Sequence, residues 1–163
     1  MANTKQNNIQ GERALISEWL QTFPASYRTK TNVLCEALEG FYAGVPLTPA
    51  QARAFSVDKG RCDARVFTGA QVLIVEGKVQ ARDGAYGQVL GYVRGYPSSE
   101  DYRQFAPAPI VPVVVGIETF PVVAAYWAAF GVQTINFTPS FSLAQALLRL
   151  YPAAQVLGGT GAS

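Results

Sequence analysis

Two strand-like stretches lie within the segment RCDARVFTGAQVLIVEGKV, which spans Arg61–Val79, and three of its charged side chains are of types that can form one chemical site. Asp63 lies in the first stretch, and Glu76 and Lys78 lie at the end of the second, after the apolar run Val-Leu-Ile-Val. Two carboxylates and an ammonium group can hold a divalent cation and stabilise a phosphate. That chemistry requires elements that bring the three side chains together.

A two-residue turn at Gly69-Ala70 would align these side chains. Glycine at the first central position favours a type II′ turn. With that turn Asp63 faces Glu76, and directly opposite residues of an antiparallel pair have Cβ atoms about 4.5–5.5 Å apart. Lys78 follows Glu76 by two residues and therefore shares its face. The pattern thus predicts that the two carboxylates and the ammonium group converge at one end of a hairpin.

Two facing carboxylates repel each other and gain little from burial unless a cation lies between them. Magnesium prefers one or two carboxylates together with waters and phosphate oxygens. Such an ion activates water and neutralises phosphate, and Lys78 would then contact the attacking water or the scissile phosphate. The alternative is a simple Asp–Lys or Glu–Lys ion pair on an exposed strand end, which the short E-x-K spacing alone favours.

A helix is predicted directly after this hairpin, with Asp83 as its N-cap. Gln88 and Tyr92 are spaced i, i+4 and therefore share one helix face. Both could hold a nucleic-acid backbone or orient the lysine, and the alternative is an ordinary helix surface. Four glycines recur along the same helix and predict a stripe that packs closely against the sheet: Gly84, Gly87, Gly91 and Gly95.

Taken together, Asp63, the triplet Glu76–Lys78 and the segment Gln88–Tyr92 resemble the PD-(D/E)xK nuclease superfamily, which has the restriction endonuclease-like fold. The Q-x-x-x-Y element is similar to the branch that contains recombination exonucleases and CRISPR-associated nucleases. The Asp-to-Glu spacing resembles archaeal Holliday-junction resolvases. The superfamily core has the order α-β-β-β-α-β, which the sequence matches over residues 31–117, roughly half the chain.

The resemblance implies a metal-dependent nuclease that hydrolyses DNA phosphodiester bonds. Asp63 and Glu76 would hold Mg²⁺ or Mn²⁺, and Lys78 would assist the attacking water. A glutamate of the first core helix would add a metal ligand, for which Glu39 and Glu36 are both candidates. The full catalytic set that the resemblance implies is Asp63, Glu76, Lys78, Gln88 and Tyr92.

Two positions depart from the superfamily pattern. Cys62 stands before Asp63 where the motif has proline, and Gly77 fills the middle of E-x-K, where a larger apolar residue is commoner. The near-neutral charge and Gly77 favour an alternative: the fold is kept as a catalytically inert binding or assembly module whose carboxylates are structural. A metal-binding titration separates the two hypotheses.

Five basic residues near the predicted site are candidates for a nucleic-acid-binding rim, because a few phosphate contacts are enough to hold nucleic acid. The alternative is a solvated face. The five are Lys59, Arg61, Arg65, Arg82 and Arg94. Four tyrosines either stack the bases of a single strand or form part of the core: Tyr86, Tyr92, Tyr96 and Tyr102.

The periodicity predicts an α/β protein with a mixed central sheet flanked by helices on both faces. Helices are predicted at 8–23 and from Thr31 to Gly40, followed by three strands, the helix at Asp83, and then alternating strands and helices. We expect one nuclease-like domain over residues 1–163, with a core at 31–117, a C-terminal α/β extension at 118–157 and a loose tail at 158–163.

The composition argues against several classes of function. The 163 residues are 49% apolar and 15% charged with a net charge of +2, which predicts a packed globular protein without an overall basic field. With no histidine and two cysteines, zinc sites of the Cys/His type and histidine-based triads are not expected. Two thiols and a polar start without an apolar stretch predict a cytoplasmic protein.

The apolar segment Ile110–Val132 raises the question of a membrane. It contains Glu118 and is interrupted by Pro112 and Pro121, so its unbroken apolar stretches are shorter than the ~20 residues that span a bilayer. We therefore expect a buried strand followed by a buried helix, and no membrane partner. The apolar helices of the last fifty residues exceed what one sheet face needs, which predicts a homodimer.

Overall fold

The computed structural model describes residues 4–35, 41–42, 45–46, 48 and 60–150. The helices and strands in these ranges were numbered in chain order. They are α1 (Thr4–Leu20), β1 (Arg28–Leu34), β2 (Phe41–Tyr42), β3 (Val45–Pro46), β4 (Arg61–Phe67), β5 (Val72–Ala81), α2 (Asp83–Gly95), a 3₁₀ turn (Tyr96–Ser98), α3 (Glu100–Arg103), β6 (Ile110–Thr119), α4 (Pro121–Ala128), β7 (Gln133–Asn136) and α5 (Phe141–Leu150).

Five of the strands form one mixed sheet in the order β1-β4-β5-β6-β7. Neighbouring strands are antiparallel from β1 through β4 to β5 and parallel from β5 through β6 to β7. β2 and β3 form a separate two-stranded hairpin. The predicted α/β class, with a mixed central sheet and flanking helices, is therefore confirmed.

Helices cover both faces of the sheet because the central strands bury side chains in both directions. Ile74 of β5 belongs to one apolar cluster with Tyr86 and Tyr96. Val75, the next residue, belongs to a second cluster with Trp19 of α1. A strand that is buried on both faces has a continuous apolar sequence, as the run Val-Leu-Ile-Val does. Tyr86 and Tyr96 are fully buried, which confirms the core interpretation for these two tyrosines.

The helix predicted from Thr31 is wrong, because residues 28–34 form the strand β1. β1 pairs with β4 along its length, from Arg28↔Phe67 to Leu34↔Arg61. The β-branched residues of this segment favour a pleated, half-buried strand over a helix. Residues 36–40, with Glu36 and Glu39, lie outside the described residues, as do the strand expected before residue 58 and the tail at 158–163.

The helix after the hairpin is present as α2, but two details of its prediction are wrong. The N-cap residue is Arg82, and Asp83 instead accepts a hydrogen bond of 2.9 Å from the indole N–H of Trp127. The side of α2 that meets the sheet is formed by larger apolar residues, because they bury more surface than glycine does; these are Ala85, Tyr86 and Val89. Three of the four glycines that were expected there are exposed, with open space around them: Gly84, Gly87 and Gly91.

The apolar segment 110–132 forms the expected strand β6 and then α4, but α4 is not a buried helix. Val122 and Tyr126 on α4, and Phe130 just after it, are 83%, 58% and 55% exposed. α4 contacts the edge strand β7 and packs inward through Val123 and Trp127, which leaves its other apolar side chains at the surface. Within the described ranges, no helix combines the length and the apolarity that crossing a bilayer requires.

Candidate active site

The β4–β5 hairpin carries Asp63 and Glu76 to neighbouring positions. The antiparallel register runs from Phe67↔Val72 to Ala64↔Val75, and Asp63 and Glu76 are the next residues on the two strands. At the turn, Gly69 has a φ of +95°, a left-handed conformation that glycine adopts without steric cost. The predicted alignment of Asp63 with Glu76 agrees with this register.

Three carboxylates and one ammonium group meet at this end of the hairpin. Nζ of Lys78 lies 2.9 Å from Oε1 of Glu76 and 3.1 Å from Oε2 of Glu12. Oδ2 of Asp63 accepts a hydrogen bond of 2.8 Å from the backbone N–H of Gly77. One lysine thus joins carboxylates of α1 and β5, and the Gly77 amide holds the third carboxylate beside them.

Glu12 reaches the cluster because α1 packs directly on Gly77. A Cβ atom at Gly77 would lie 2.6 Å from Cγ1 of Ile16, closer than real Cβ atoms approach another carbon. Glu12 precedes Ile16 by four residues and therefore lies on the same face of α1. Sequence reasoning missed Glu12, although its spacing from the apolar Ile16 in a predicted helix was the available signal.

Burial and mutual repulsion raise the pKa values of the carboxyls. Desolvation, and then the nearby Asp63, raise the pKa of Glu76 to about 7, although Lys78 acts in the opposite direction. Desolvation also raises the pKa of Asp63, against the Gly77 N–H and Lys78, and the pKa of Glu12, against Lys78. Burial lowers the pKa of Lys78, but Glu76 and Glu12 outweigh burial and raise it overall. Negative charge is thus in excess, which favours protons or an added cation.

Tyr92 is the member of the predicted Gln88–Tyr92 pair that lies near the cluster. Burial raises the pKa of its phenol, and the carboxylates of Glu76 and Asp63 add to this rise. The phenol therefore stays protonated at neutral pH and can donate a hydrogen bond. Gln88, one turn earlier on α2, is exposed.

A cavity of about 480 Å³ lies beside the cluster, between α1 and β1. Arg13 lines it and acts on Asp63 in the same direction as Lys78, lowering the pKa of that carboxyl. Such a volume is typical of cavities that enclose a small ligand. The described residues that line it are Ile9, Glu12, Arg13, Ile16, Ser17, Thr31, Asn32 and Asp63.

The basic residues of the predicted rim do not share one environment. Arg61 is exposed, and its Nη1 donates a hydrogen bond of 3.2 Å to the carbonyl of Asn32. Arg65 is 4% exposed and donates to both carboxylate oxygens of Asp101, at 3.0 and 3.3 Å, so it lies inside the protein rather than on a rim. Arg94 on α2 and Arg82 just before it are exposed, and Lys59 lies outside the described residues.

Asp63 and Glu76 are two of the residues that the sequence predicts as metal ligands. Within the part of the chain that the structure describes, no group of three or more His, Cys, Asp or Glu side chains is arranged to hold one. The carboxyls of Asp63 and Glu76 are close enough to hydrogen bond with each other, and they offer only oxygen donors. Mg²⁺ needs no more than one or two carboxylates when waters and phosphate oxygens complete its coordination. A two-carboxylate magnesium site is therefore compatible with this pair.

Comparison with known protein families and with curated proteins gives no match to this sequence. The function must therefore be argued from the site itself. Its defining features are the acidic pair on the hairpin, the lysine between Glu76 and Glu12, and the cavity beside them.

Proposed function

We propose that this protein is a metal-dependent nuclease that hydrolyses DNA phosphodiester bonds. The observation that carries the proposal is the meeting of Asp63, Glu76 and Lys78 at the end of one hairpin, with Glu12 of α1 beside them. Surplus negative charge next to a cavity is suited to a hard divalent cation, and a cation there would attract a phosphate.

The order of elements supports the same proposal. Within the described ranges, α1, β1, β4, β5, α2 and β6 follow the order α-β-β-β-α-β that the PD-(D/E)xK resemblance implies, with the β2–β3 hairpin inserted after β1. In this alignment the first core helix is α1, rather than a helix that begins at Thr31. We therefore assign the glutamate of that helix to Glu12 in place of Glu36 or Glu39.

Each side chain of the cluster would have a separate role in the reaction, set by its position and charge. Asp63 and Glu76 would hold Mg²⁺ or Mn²⁺, which supplies Lewis acidity towards the phosphate and the attacking water when bound. Lys78 keeps its proton at neutral pH and presents a positive charge where negative charge develops in the transition state. Glu12 fixes the lysine from the α1 side, and the Tyr92 phenol can donate a hydrogen bond to Glu76 or to a phosphate oxygen.

A cleavage assay tests the proposal. Single-stranded, duplex and branched DNA are incubated with the protein and magnesium or manganese, beside Glu76→Ala and a matched control, Glu118→Ala. Glu118 is bonded to Gln80 rather than to Lys78. We expect cleavage by the wild type and by Glu118→Ala, and none by Glu76→Ala or in EDTA. Equal cleavage by the wild type and Glu76→Ala would overturn the proposal.

A second candidate function is a binding or assembly module without turnover. One observation favours it: Glu12 and Glu76 are already paired with Lys78, and Asp63 with the Gly77 amide, so the cluster has partners without an ion. The glycine in the middle of E-x-K does not favour this function, because the close packing of Ile16 on Gly77 explains why a larger residue is absent there. An inert module should show no specific magnesium or manganese site in a titration.

A further inference from the structure

A second cavity, of about 600 Å³, lies on the α3 side of β1. It is polar, and three of its lining residues are cations from three different elements: Lys30 of β1, Arg61 of β4 and Arg103 of α3. None of the described residues that line it is aromatic, so it is built to contact a charged backbone rather than to stack bases. The remaining lining residues are Asn32, Val33, Leu34, Ser98, Glu100, Asp101 and Gln104.

Asn32 connects this second cavity to the candidate active site, because it lines both cavities. It lies between the pairs Thr31↔Ala64 and Val33↔Cys62, at the position across from Asp63. Its φ is +53°, a left-handed conformation that is uncommon for a residue other than glycine and that often marks a functional site. Its carbonyl accepts the hydrogen bond from Arg61, so the same residue also positions a cation of the second cavity.

Two carboxylates line this cavity, the exposed Glu100 and Asp101, and neither forms a salt bridge with Arg61 or Arg103. Asp101 is already occupied by Arg65 at 3.0 Å, Lys30 at 2.9 Å and the Tyr96 hydroxyl at 2.7 Å. Arg61 and Arg103 are exposed and form no salt bridge with any described residue. Within the described ranges, no carboxylate pairs with either guanidinium group, so both can bind an anion in the wall of the cavity.

We propose that the second cavity binds the phosphates of an unpaired nucleic-acid strand, which passes from the active-site cavity across Asn32 to Arg61 and Arg103. The inference rests on the proposed nuclease function for the identity of the anion. Cavities of about 480 and 600 Å³ match small ligands in size and therefore suit single nucleotides, whereas a base-paired duplex is too wide to enter. The substrate would thus be a single strand, or a strand end or branch that is unpaired near the cut.

The test is a binding titration in EDTA, followed by the fluorescence anisotropy of a labelled single-stranded oligonucleotide. Arg61→Gln, Arg103→Gln and the double variant are compared with Arg149→Gln, which removes an exposed arginine of α5. We expect the double variant to bind at least tenfold more weakly and each single variant to lower the salt slope by about 0.7, the value for one phosphate contact on a single strand. Arg149→Gln should bind as the wild type does, and a blunt duplex should bind at least tenfold more weakly than the single strand.

Three results would overturn the inference. The first is that Arg61→Gln and Arg149→Gln weaken oligonucleotide binding equally, and the second is that a duplex binds as tightly as a single strand. The third is that polyglutamate competes with the labelled oligonucleotide as effectively as unlabelled single strand does, which would indicate an acidic protein partner. Because the titration needs no metal and no cleavage, it separates this inference from the proposed function. Arginine-dependent strand binding without magnesium-dependent cleavage would remove the nuclease function and leave the strand site. Metal-dependent cleavage of DNA together with unchanged strand binding by the double variant would overturn the strand site and leave the nuclease function.

Discussion

At the scale of single residues, Glu76 couples the stability of the fold to pH. Its pKa is about 7 in the folded protein, against an ordinary value of 4.5. Between these values the unfolded chain loses a proton that the folded protein keeps, so the free energy of unfolding should fall as pH rises from about 4.5 to 7. Since one pKa unit corresponds to about 1.4 kcal/mol, the loss should reach up to about 3 kcal/mol.

Urea unfolding at pH 5, 6, 7 and 8 measures this effect, with Glu76→Gln as the control. Glu12 and Asp63 have pKa values raised in the same direction, so the control should have a smaller slope rather than none. Asp101 does not interfere, because its pKa is lowered to about 2 and the stability it contributes is lost only below about pH 4. Wild-type stability that rises between pH 5 and 7 would contradict the raised pKa of Glu76.

Substitution of Lys78 distinguishes a catalytic role of this lysine from simple ion pairing. In Lys78→Met, DNA cleavage should fall by about 10²–10³, because a charge aimed at the transition state is lost. Manganese affinity should be kept, because the proposed ligands are Asp63 and Glu76, and the substitution removes a cation that competes with the metal for them. Lys78→Arg, which keeps a positive charge, should retain stability at pH 8 better than Lys78→Met does. Unchanged cleavage by Lys78→Met would mean that the lysine only pairs with Glu12 and Glu76.

At the scale of elements, the close packing of α1 on β5 depends on Gly77. Gly77→Ala should cost about 1–3 kcal/mol of unfolding free energy, the usual effect of overpacking, because Ile16 must move. Gly87→Ala is the matched control: it lies on an open face of α2 and should gain up to about 1 kcal/mol from helix propensity. Thermal unfolding measures both, and Ile16→Val should recover part of the loss in Gly77→Ala. Equal effects of the two alanine substitutions would contradict this account of α1 packing.

The elements that could be predicted from the sequence are those specified by local signals. The β4–β5 hairpin follows from the glycine turn and the apolar runs on either side of it. The alignment of Asp63 with Glu76 could therefore be predicted from the sequence. The strand β1 could not be predicted, because the spacing of Val33 and Leu34 suits either a helix or a strand. The pairing with β4 that decides between them joins residues that are distant in sequence. Glu12 was missed for a related reason: its role depends on a tertiary contact between Ile16 and Gly77.

At the scale of the whole molecule, the expected homodimer stays a prediction. Val122, Tyr126 and Phe130 are exposed in and beside α4, and exposed apolar surface often marks an interface. Sedimentation at micromolar concentration should show a species larger than the 17.5 kDa chain, and Tyr126→Lys should weaken it. A wild-type protein that sediments only as a 17.5 kDa monomer would contradict the prediction.

The central claim is that Asp63 and Glu76 hold a divalent cation as parts of a phosphodiesterase site. A manganese titration at pH 7.5, followed by electron paramagnetic resonance on the wild type and on Asp63→Asn, tests it most directly. Asparagine keeps an oxygen that can accept the Gly77 N–H, so the variant should fold while losing a charged ligand. We predict one specific manganese site in the wild type and a large loss of affinity in Asp63→Asn. No specific site in the wild type, or equal binding by both proteins, would contradict the claim.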